Sequence, residues 1–421
     1  MIANITESAP DDDEPGVFHY HSESCDTSVF DTLANFRNNG GVSNDRYVAL
    51  AKSIGEGVER YCSAIFDYDD LLLAPYADLT ERAAPPDAYA LHTPEQYADP
   101  SFPWYPFTPE TPTAWTGGTS LVDGEDVLVP ATMVFVPFHY LRIGRDVPIG
   151  QPISTGLACG CSPSESALSG LCEAIERDAF TIAWQARMSH PQIATDSLPA
   201  PALDLLERLA NAGVEVKLLD ITTDIRVPTV MSIALGSAST SPAVAVAAAT
   251  DPSPARAVVK SIEEVAHTRR YARQLMAYTP ELPVEVAEGH PHVAEQRDHL
   301  RFYCPQEAKR FIEFAWASTE IRRLSDMPDL SAGSAGRQLD ALVAAVQAVD
   351  LDVVMCDLTT PDICQLGLYV TRIVVPGLHP LFMGHATRAL GGRRLYSVPQ
   401  LLGHPGIEPG GSDNPYPHPF P

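Results

Sequence analysis

Two stretches of this chain carry nearly the same pattern: Ser53-Ile54-Gly55-Glu56-Gly57-Val58-Glu59-Arg60 and Gly170-Leu171-Cys172-Glu173-Ala174-Ile175-Glu176-Arg177. The offset is constant, since 173 − 56, 176 − 59 and 177 − 60 all give 117. Each copy follows a glycine-containing turn on an expected helix, so its two Glu, at i and i+3, share one helical face. A single E-x-x-E-R is ordinarily a solvated face laced with ion pairs. Two copies in the same helical context constrain the fold, because pseudo-symmetric halves with facing helices would bring four carboxylates together. Like charges at close range push protons back on, so such a site requires cations. The hard-oxygen choice is Mg²⁺, with substrate phosphates completing its shell.

A third candidate helix carries Glu263 and Glu264, followed by Arg269 and Arg270. Basic residues near phosphate oxygens fit the same picture. Its Glu264-Val265-Ala266-His267 is also an E-x-x-H motif, but di-iron bundles need two such motifs on facing helices. One motif disfavours iron. Cys159 and Cys161 form a C-x-C pair with no second pair at zinc-finger spacing, which disfavours structural zinc. Neither G-x-x-x-x-G-K-[ST] nor a well-placed G-x-G-x-x-G is present, so the usual nucleotide-loop signatures do not apply. The residues alone thus define a multi-carboxylate, magnesium–phosphate site and name no reaction.

Composition narrows the partners. The 421 residues carry 54 acidic against 28 basic side chains, net -26, a field that repels nucleic acid. The N-terminus runs through Asp11, Asp12, Asp13 and Glu14 without a basic start or apolar core, unlike a secretory signal. No uncharged apolar run approaches the ~20 residues needed to cross a bilayer. Eight scattered cysteines are not a disulfide framework. The cytosol is the expected compartment, with no membrane partner.

Along the chain a polar leader reaches Asn39, and Ser43, Asn44 and Asp45 are N-cap candidates for a helix. Its expected apolar face is Tyr47, Ala51, Ile54, Val58, Tyr61 and Ile65. Proline recurs through residues 75–112, which leaves ordered loop or linker without helix or central strand. Residues 127–136 read as a strand. A turn at 156–160 leads to Ser162-Pro163, a helix start with proline at the first position, running to Met188. Strands are expected at 214–220, 227–234, 243–249, 353–357 and 366–375. A helix should start at Asp251-Pro252 and reach Leu275, with further helical segments around Phe311 and Leu342. Alternating proline at the end implies an extended polyproline II tail. The alternation of helices and strands indicates a mixed, α+β chain with one extended catalytic unit.

Ser154-Thr155-Gly156-Leu157-Ala158-Cys159-Gly160, continuing through Glu165 to Glu176-Arg177-Asp178-Ala179, closely resembles the YcaO family. So do residues 41–61, 257–269 and 367–377, the last with Arg372 and Val375-Pro376-Gly377. The resemblance implies the YcaO fold of pseudo-repeated sheet-and-helix lobes, with an ATP and Mg²⁺ site between helices. It assigns 1–39 to a polar N-terminal segment, 40–400 to the catalytic domain and 401–421 to a Pro-rich tail. Position by position it implies Glu56, Glu59, Glu173, Glu176 and Glu264 as metal ligands. Lys52, Glu56, Glu59, Glu165, Arg177, Glu264 and Arg372 would contact the nucleotide. Departures stand at Lys52, Cys161 and His267, where the family often has Ser, Asn and Gln. The tail (Pro415, Pro417, Pro419, Pro421) resembles the P-x-P-x-P end of azoline-forming members, which implies a catalytic role for Pro417, Pro419 and Pro421 in ordering the site.

The activity implied is ATP-dependent cyclodehydration of Cys, or Ser/Thr, in a ribosomal precursor peptide; thioamide or amidine formation and a non-catalytic nucleotide-binding scaffold are the alternatives. About 40 residues precede the catalytic region, too few for a leader-recognition module, so a separate E1-like or ThiF-like partner is expected. An FMN-dependent azoline dehydrogenase is an optional further partner. The oligomeric state is left open, a homodimer included.

Overall fold

A computed structural model describes residues 1–9, 16–30, 34–89, 91–140, 146–280, 282–284, 290, 292–408 and 411–420. Asp11, Asp12, Asp13, Glu14 and Pro421 lie outside the described residues. The segment expected as a polar leader supplies β1 (Ile2–Ser8) and β2 (Phe18–Ser24), which pair antiparallel with each other and then with β3 (Asn38–Ser43). This sheet carries α1 (Arg46–Cys62), capped by Asp45, whose carboxylate accepts the N–H groups of Tyr47 and Val48. The buried stripe of α1 is Ala49, Ser53, Gly57, Val58, Tyr61 and Cys62. Tyr47, expected inside, is 79% exposed, and Ala51 is also exposed. The cause is close approach: a Cβ on Gly41 would sit 2.1 Å from the Ala49 carbonyl, and one on Gly57 2.5 Å from Ile2. Only small residues fit there, so a pattern keyed on large apolar side chains points to the wrong face.

Next come β4 (Leu72–Pro75), the single-turn α2 (Pro94–Tyr97), β5 (Pro112–Ser120) and β6 (Asp126–Pro130). The proline-dense segment is ordered, its Phe107 packing on the buried Trp115, and it holds α2, a short helical turn that proline density was expected to exclude. The 127–136 run is a strand only to Pro130 and then turns as 3-10 helix at Ala131–Met133. Gly156, at φ +85°, makes the expected turn, but Leu157–Gly160 is a strand, β7. The helix α3 (Pro163–Gln185) starts as anticipated, with Ser162 accepting the Glu165 N–H and Pro163 in its first turn. After it come β8 (Gln192–Ile193), α4 (Ala200–Asn211), β9 (Val214–Asp220), β10 (Thr229–Gly236), β11 (Val244–Thr250) and α5 (Pro254–Tyr278). The chain closes with α6 (Gln296–Phe302), β12 (Ile321–Arg322), α7 (Ala335–Gln347), β13 (Val354–Asp357), α8 (Pro361–Gln365), β14 (Tyr369–Val374) and α9 (Arg393–Leu401).

The two larger sheets run β11-β10-β9-β8-β12 and β4-β5-β13-β14-β7, with β6 also paired to β5. Helix α3 is buried against both. Its first half sets Ala167 and Leu171 on Ile373, and its second half sets Phe180 and Trp184 in the cluster with Met231, Ile233 and Val246. Helix α5 lays Val258, Ile262 and Val265 over Val230 and Ala245. Each such fully buried aliphatic side chain stabilises the fold by about 1.5–3 kcal/mol. The architecture is α+β, and α1, α3 and α5 are each preceded by a strand: β3, β7 and β11. No helix among the described residues is long and apolar enough to cross a membrane.

Candidate active site

The repeated acids of α1 and α3 are held in the same way. Glu56 accepts the N–H of Gly40 at 2.6 Å, and Glu173 accepts that of Gly156 at 2.9 Å. Each first acid therefore reaches back to a glycine ahead of its own helix. The second acids reach across: Glu59 accepts the Cys159 N–H at 2.8 Å, and Glu176 the Thr250 N–H at 3.2 Å. Cys159 lies in the strand leading to α3, and Thr250 ends the strand leading to α5. Helix α5 closes the ring, because Glu263 accepts from the Asn44 N–H and the Ser43 hydroxyl, both at 2.9 Å, just ahead of α1.

Counting from each N-cap exposes a third member of the repeat. The differences 56 − 45, 173 − 162 and 264 − 253 are all 11, and 59 − 45, 176 − 162 and 267 − 253 are all 14. Glu264 therefore occupies the place of the first acid, and His267 that of the second. Lys52 donates to Glu264 at 3.1 Å and to Glu263 at 3.4 Å, while the His267 ring stands 4.0 Å from Glu264. A Cβ on Gly40 would lie 2.6 Å from that ring, so the imidazole packs directly on the backbone there. Between the helices opens a cleft of about 470 Å³ lined by Lys52, Glu56, Glu59, Ser169, Glu264 and His267, among others.

Burial, reinforced by Glu56 and Glu173, pushes Glu59 up to about 8, against the pull of Arg60 and the Cys159 N–H. Burial raises Glu176 to about 8 as well, with Glu173 and Glu264 adding to it and Arg177 opposing it. Glu264 goes the other way: burial disfavours its charge, but Lys52 and His267 hold it below the ordinary carboxylate value. Lys52 gains correspondingly, since Glu264 and Glu263 outweigh its burial and raise its pKa. Acids drawn from α1, α3 and α5 thus feel one another's charge, and two stay near neutrality until positive charge arrives. An all-oxygen donor set of this kind fits Mg²⁺. Among the described residues no group of three side chains stands at metal-ligand spacing.

Arg372, on β14, donates to the carbonyls of Met133 and Ile153 at 2.8 and 2.7 Å and keeps its buried Nη1 without a partner. Burial lowers its pKa to about 10, with Glu173 opposing. Arg372 is thus a spare buried donor within the field of Glu173. Glu165 binds the Cys161 N–H at 3.0 Å at the start of α3; like Glu173, Glu176, Arg177 and Arg372, it is not among the cleft-lining residues. Arg177 pairs with Glu173 at 3.4 Å, as Arg60 does with Glu56 at 3.2 Å.

The proline tail is docked. Asn414 binds the Gln185 and Trp184 carbonyls at the end of α3 through its N–H and side-chain amide. The Trp184 indole donates to the Tyr416 carbonyl at 3.0 Å, and the Tyr303 hydroxyl to that of Pro417 at 2.7 Å. Pro417, His418, Pro419 and Phe420 are all buried. Phe420 packs on Phe180, and the Arg177 guanidinium lies 4.5 Å from its ring centroid. The tail therefore ends beside the arginine that partners Glu173; Pro421 is beyond the described residues.

Sequence reasoning missed the ring-closing role of Glu263 and the shared register of Glu264 and His267; counting from Ser253 as the cap would have shown the latter. It also missed His19, on β2. Its ring lies 5.7 Å from that of His267, and burial and His267 lower its pKa to about 3. No motif marks that histidine.

Three solved structures share this fold. A heterocyclase in complex with substrate and cofactor superposes with a TM-score of 0.81 at 21% identity, covering 100% of this chain and 55% of its own. YcaO from Methanopyrus kandleri bound with AMPPCP and Mg²⁺ gives a TM-score of 0.64 at 19% identity, with 90% and 86% covered. The E. coli microcin synthetase McbBCD complex with pro-MccB17 bound gives 0.58 at 15%, with 89% and 87% covered. An uncharacterized protein of Methanothermobacter thermautotrophicus is 30% identical over 270 residues, 63% of this chain and 65% of that protein. The chain thus spans about two thirds of that relative and about half of the heterocyclase. The family model described as YcaO cyclodehydratase, ATP- and Mg²⁺-binding, matches residues 40–379. With more than half of its length inside that match, the chain belongs to the YcaO cyclodehydratase family, which binds ATP and Mg²⁺.

Proposed function

We propose that the chain is an ATP-dependent cyclodehydratase that converts Cys, or Ser/Thr, of a ribosomal precursor peptide to thiazoline or oxazoline. The observation that carries this reading is the cleft lined by Glu56 and Glu59 of α1 and Glu264 of α5, with the α3 acids coupled to them. Burial, reinforced by Glu173 on Glu59 and by Glu264 on Glu176, raises Glu59 and Glu176 both to about 8. Residues 40–400 form the catalytic unit, with 401–421 as its tail, acting in the cytoplasm.

Glu56, Glu59, Glu173, Glu176 and Glu264 would hold Mg²⁺, with Lys52, Arg177 and Arg372 on phosphate or nucleotide oxygens and Glu165 at the rim. The bound nucleotide supplies the phosphoryl group that turns the amide oxygen into a leaving group, and the metal neutralises its charge. The substrate thiol or hydroxyl attacks the preceding amide carbon, giving a tetrahedral centre whose oxygen leaves poorly. Arg177 and Arg372 stabilise negative charge as that oxygen is phosphorylated and phosphate departs. Phe420 fixes the Arg177 guanidinium from one side, which gives the tail of Pro417 and Pro419 its part in ordering the site. The microcin synthetase complex with pro-MccB17 bound supports a precursor peptide and partner proteins here; the partner proposed is a separate E1-like or ThiF-like leader-binding protein, with an FMN-dependent azoline dehydrogenase as an optional further one.

The test is reconstitution of the chain with ATP, Mg²⁺, a candidate precursor and its leader-binding partner, read by mass spectrometry. The expected result is loss of one water per ring, abolished by Glu173→Gln. Sulfur in place of oxygen in the product would instead establish thioamide formation. No ATP consumption under these conditions would leave a nucleotide-binding scaffold.

A further inference from the structure

Side chains of a strand alternate between the two faces of its sheet. On one face of the β5–β6–β13 region, Val127, Val129, Val354 and Cys356 pack with Phe135 and Phe138. The other face presents Gly117, Thr119, Asp126, Leu128, Met355 and Asp357. The register sets Gly117 opposite Leu128 and Thr119 opposite both Asp126 and Met355. Two covers lie on this second face. Helix α3 covers Ile373 on β14, and Phe107 covers Trp115 on β5. Between them Leu128 and Met355, each half-buried against one of those covers, floor an open trough of about 560 Å³, larger than the acidic cleft and walled by Glu81 and Arg82.

The hollow comes from Gly117, where a Cβ would meet nothing within 4 Å. Glycine inside a strand weakens it and marks places where a ligand or another chain approaches closely. The wall is preset, because Arg82 is engaged with Asp123 at 2.6 Å and Asp352 at 2.8 Å, and Asp352 is tied to Ser120. That occupies the local cation. Among the described residues Glu81, Asp126 and Asp357 make no ion pair, and all three line the trough. Glu81 accepts from the Thr80 N–H and hydroxyl, and Asp357 from the Thr359 N–H. None of the three has a cation among those described residues, and with an apolar floor of Leu128 and Met355 they suit a ligand that is apolar at its centre and basic around it. Nucleic acid, anionic lipid and a second copy of this chain, itself at -26, carry the wrong charge.

We propose that this trough docks a basic segment of a partner protein, seating one large apolar side chain over Gly117 and lysine or arginine heads on Glu81, Asp126 and Asp357. The apolar anchor supplies the affinity, and the exposed rim charges supply orientation and on-rate. The proposal does not depend on the chemistry of the acidic cleft.

The test uses the full chain and a fluorescein-labelled hexapeptide of alternating lysine and leucine, with binding read by anisotropy. Binding should weaken at least tenfold on Gly117→Trp, which fills the hollow, and similarly on Asp126→Lys with Asp357→Lys, while ATP binding stays unchanged. The charge variants decide the matter if the tryptophan variant fails to fold. Absence of binding by the parent chain overturns the proposal. So do parent-like binding by the variants and equal binding of an all-lysine hexapeptide.

Discussion

Helices α1 and α3 carry the same acid pair on the same hydrogen-bonding plan, yet the protein supports them very differently. From Asp178 to Gln185 every residue of α3 is buried, wedged between two sheets and closed by the tail. Helix α1 buries one stripe of mainly small residues against a thin N-terminal sheet. The contrast extends to the arginines. Arg177 lies 4.5 Å from the ring centroid of the buried Phe420, and Arg60 lies 6.0 Å from that of Phe36, which is 64% exposed. Repetition here conserves the geometry of the functional atoms and not the packing that fixes them. Helix α5 extends the lesson, keeping the register but replacing the second acid by His267 and the arginine position by Thr268.

The largest expected effect tests whether the copies act as one site. Glu176→Ala and Glu59→Ala should each lower cyclodehydration at least about 10²–10³-fold, the scale of removing one preorganised electrostatic group. A deep loss for Glu176 beside near-normal turnover for Glu59 would reduce the α1 copy to a structural echo. The next effect is on stability. Phe420→Ala empties a buried aromatic site and should cost about 3–5 kcal/mol, whereas Phe36→Ala should stay within about 0.5 kcal/mol. Thermal unfolding of the two variants measures the difference directly; equal shifts would mean that the tail is not docked as described. Smaller again are the glycines that let each strand approach. Alanine at Gly41 would meet the Ala49 carbonyl at 2.1 Å, and at Gly156 the Ile373 carbonyl at 2.3 Å. Gly41→Ala and Gly156→Ala should each cost about 1–3 kcal/mol through overpacking. Gly156 should suffer more, since its φ of +85° is strained for any other residue.

The same contrast explains what the sequence revealed. The acid pairs were legible because their spacing survives as identical residue types at a fixed offset. The helix starts at Asp45 and Ser162 were legible because capping is local chemistry. The buried face of α1 was not, since Ala49, Ser53 and Gly57 face inward for their size, which hydrophobic periodicity does not register. The strands β1 and β2 were hidden because Ile2–Ser8 is mostly exposed and shows no apolar alternation. The tail's prolines were plain in the sequence, but its seat on Trp184 and Tyr303 depends on residues more than a hundred positions away. Glu263 had no signal either, because its role exists only once β3 and α5 meet.

The finest comparison is electrostatic. In the ligand-free protein Glu59 and Glu176 both rise from the ordinary 4.5 to about 8. A carboxyl raised by folding is protonated in both states at low pH and carries no penalty there. As pH climbs from about 4.5 toward 8, the unfolded chain ionises while the folded one resists, so native stability is lost across that window. Mg²⁺ with ATP favours the ionised forms, and binding should therefore release protons and remove the pH dependence. The check is Tm against pH with and without Mg²⁺ and ATP, alongside calorimetry in buffers of different ionisation enthalpy. Glu176→Gln and Glu59→Gln should each flatten the ligand-free fall by a similar share, because the amide keeps the acceptor for Thr250 or Cys159 and loses the charge. A ligand-free Tm that rises between pH 5 and 8 would overturn the buried, mutually repelling acids. Flattening by one variant alone would show that the thinner support of α1 leaves its pair open to water.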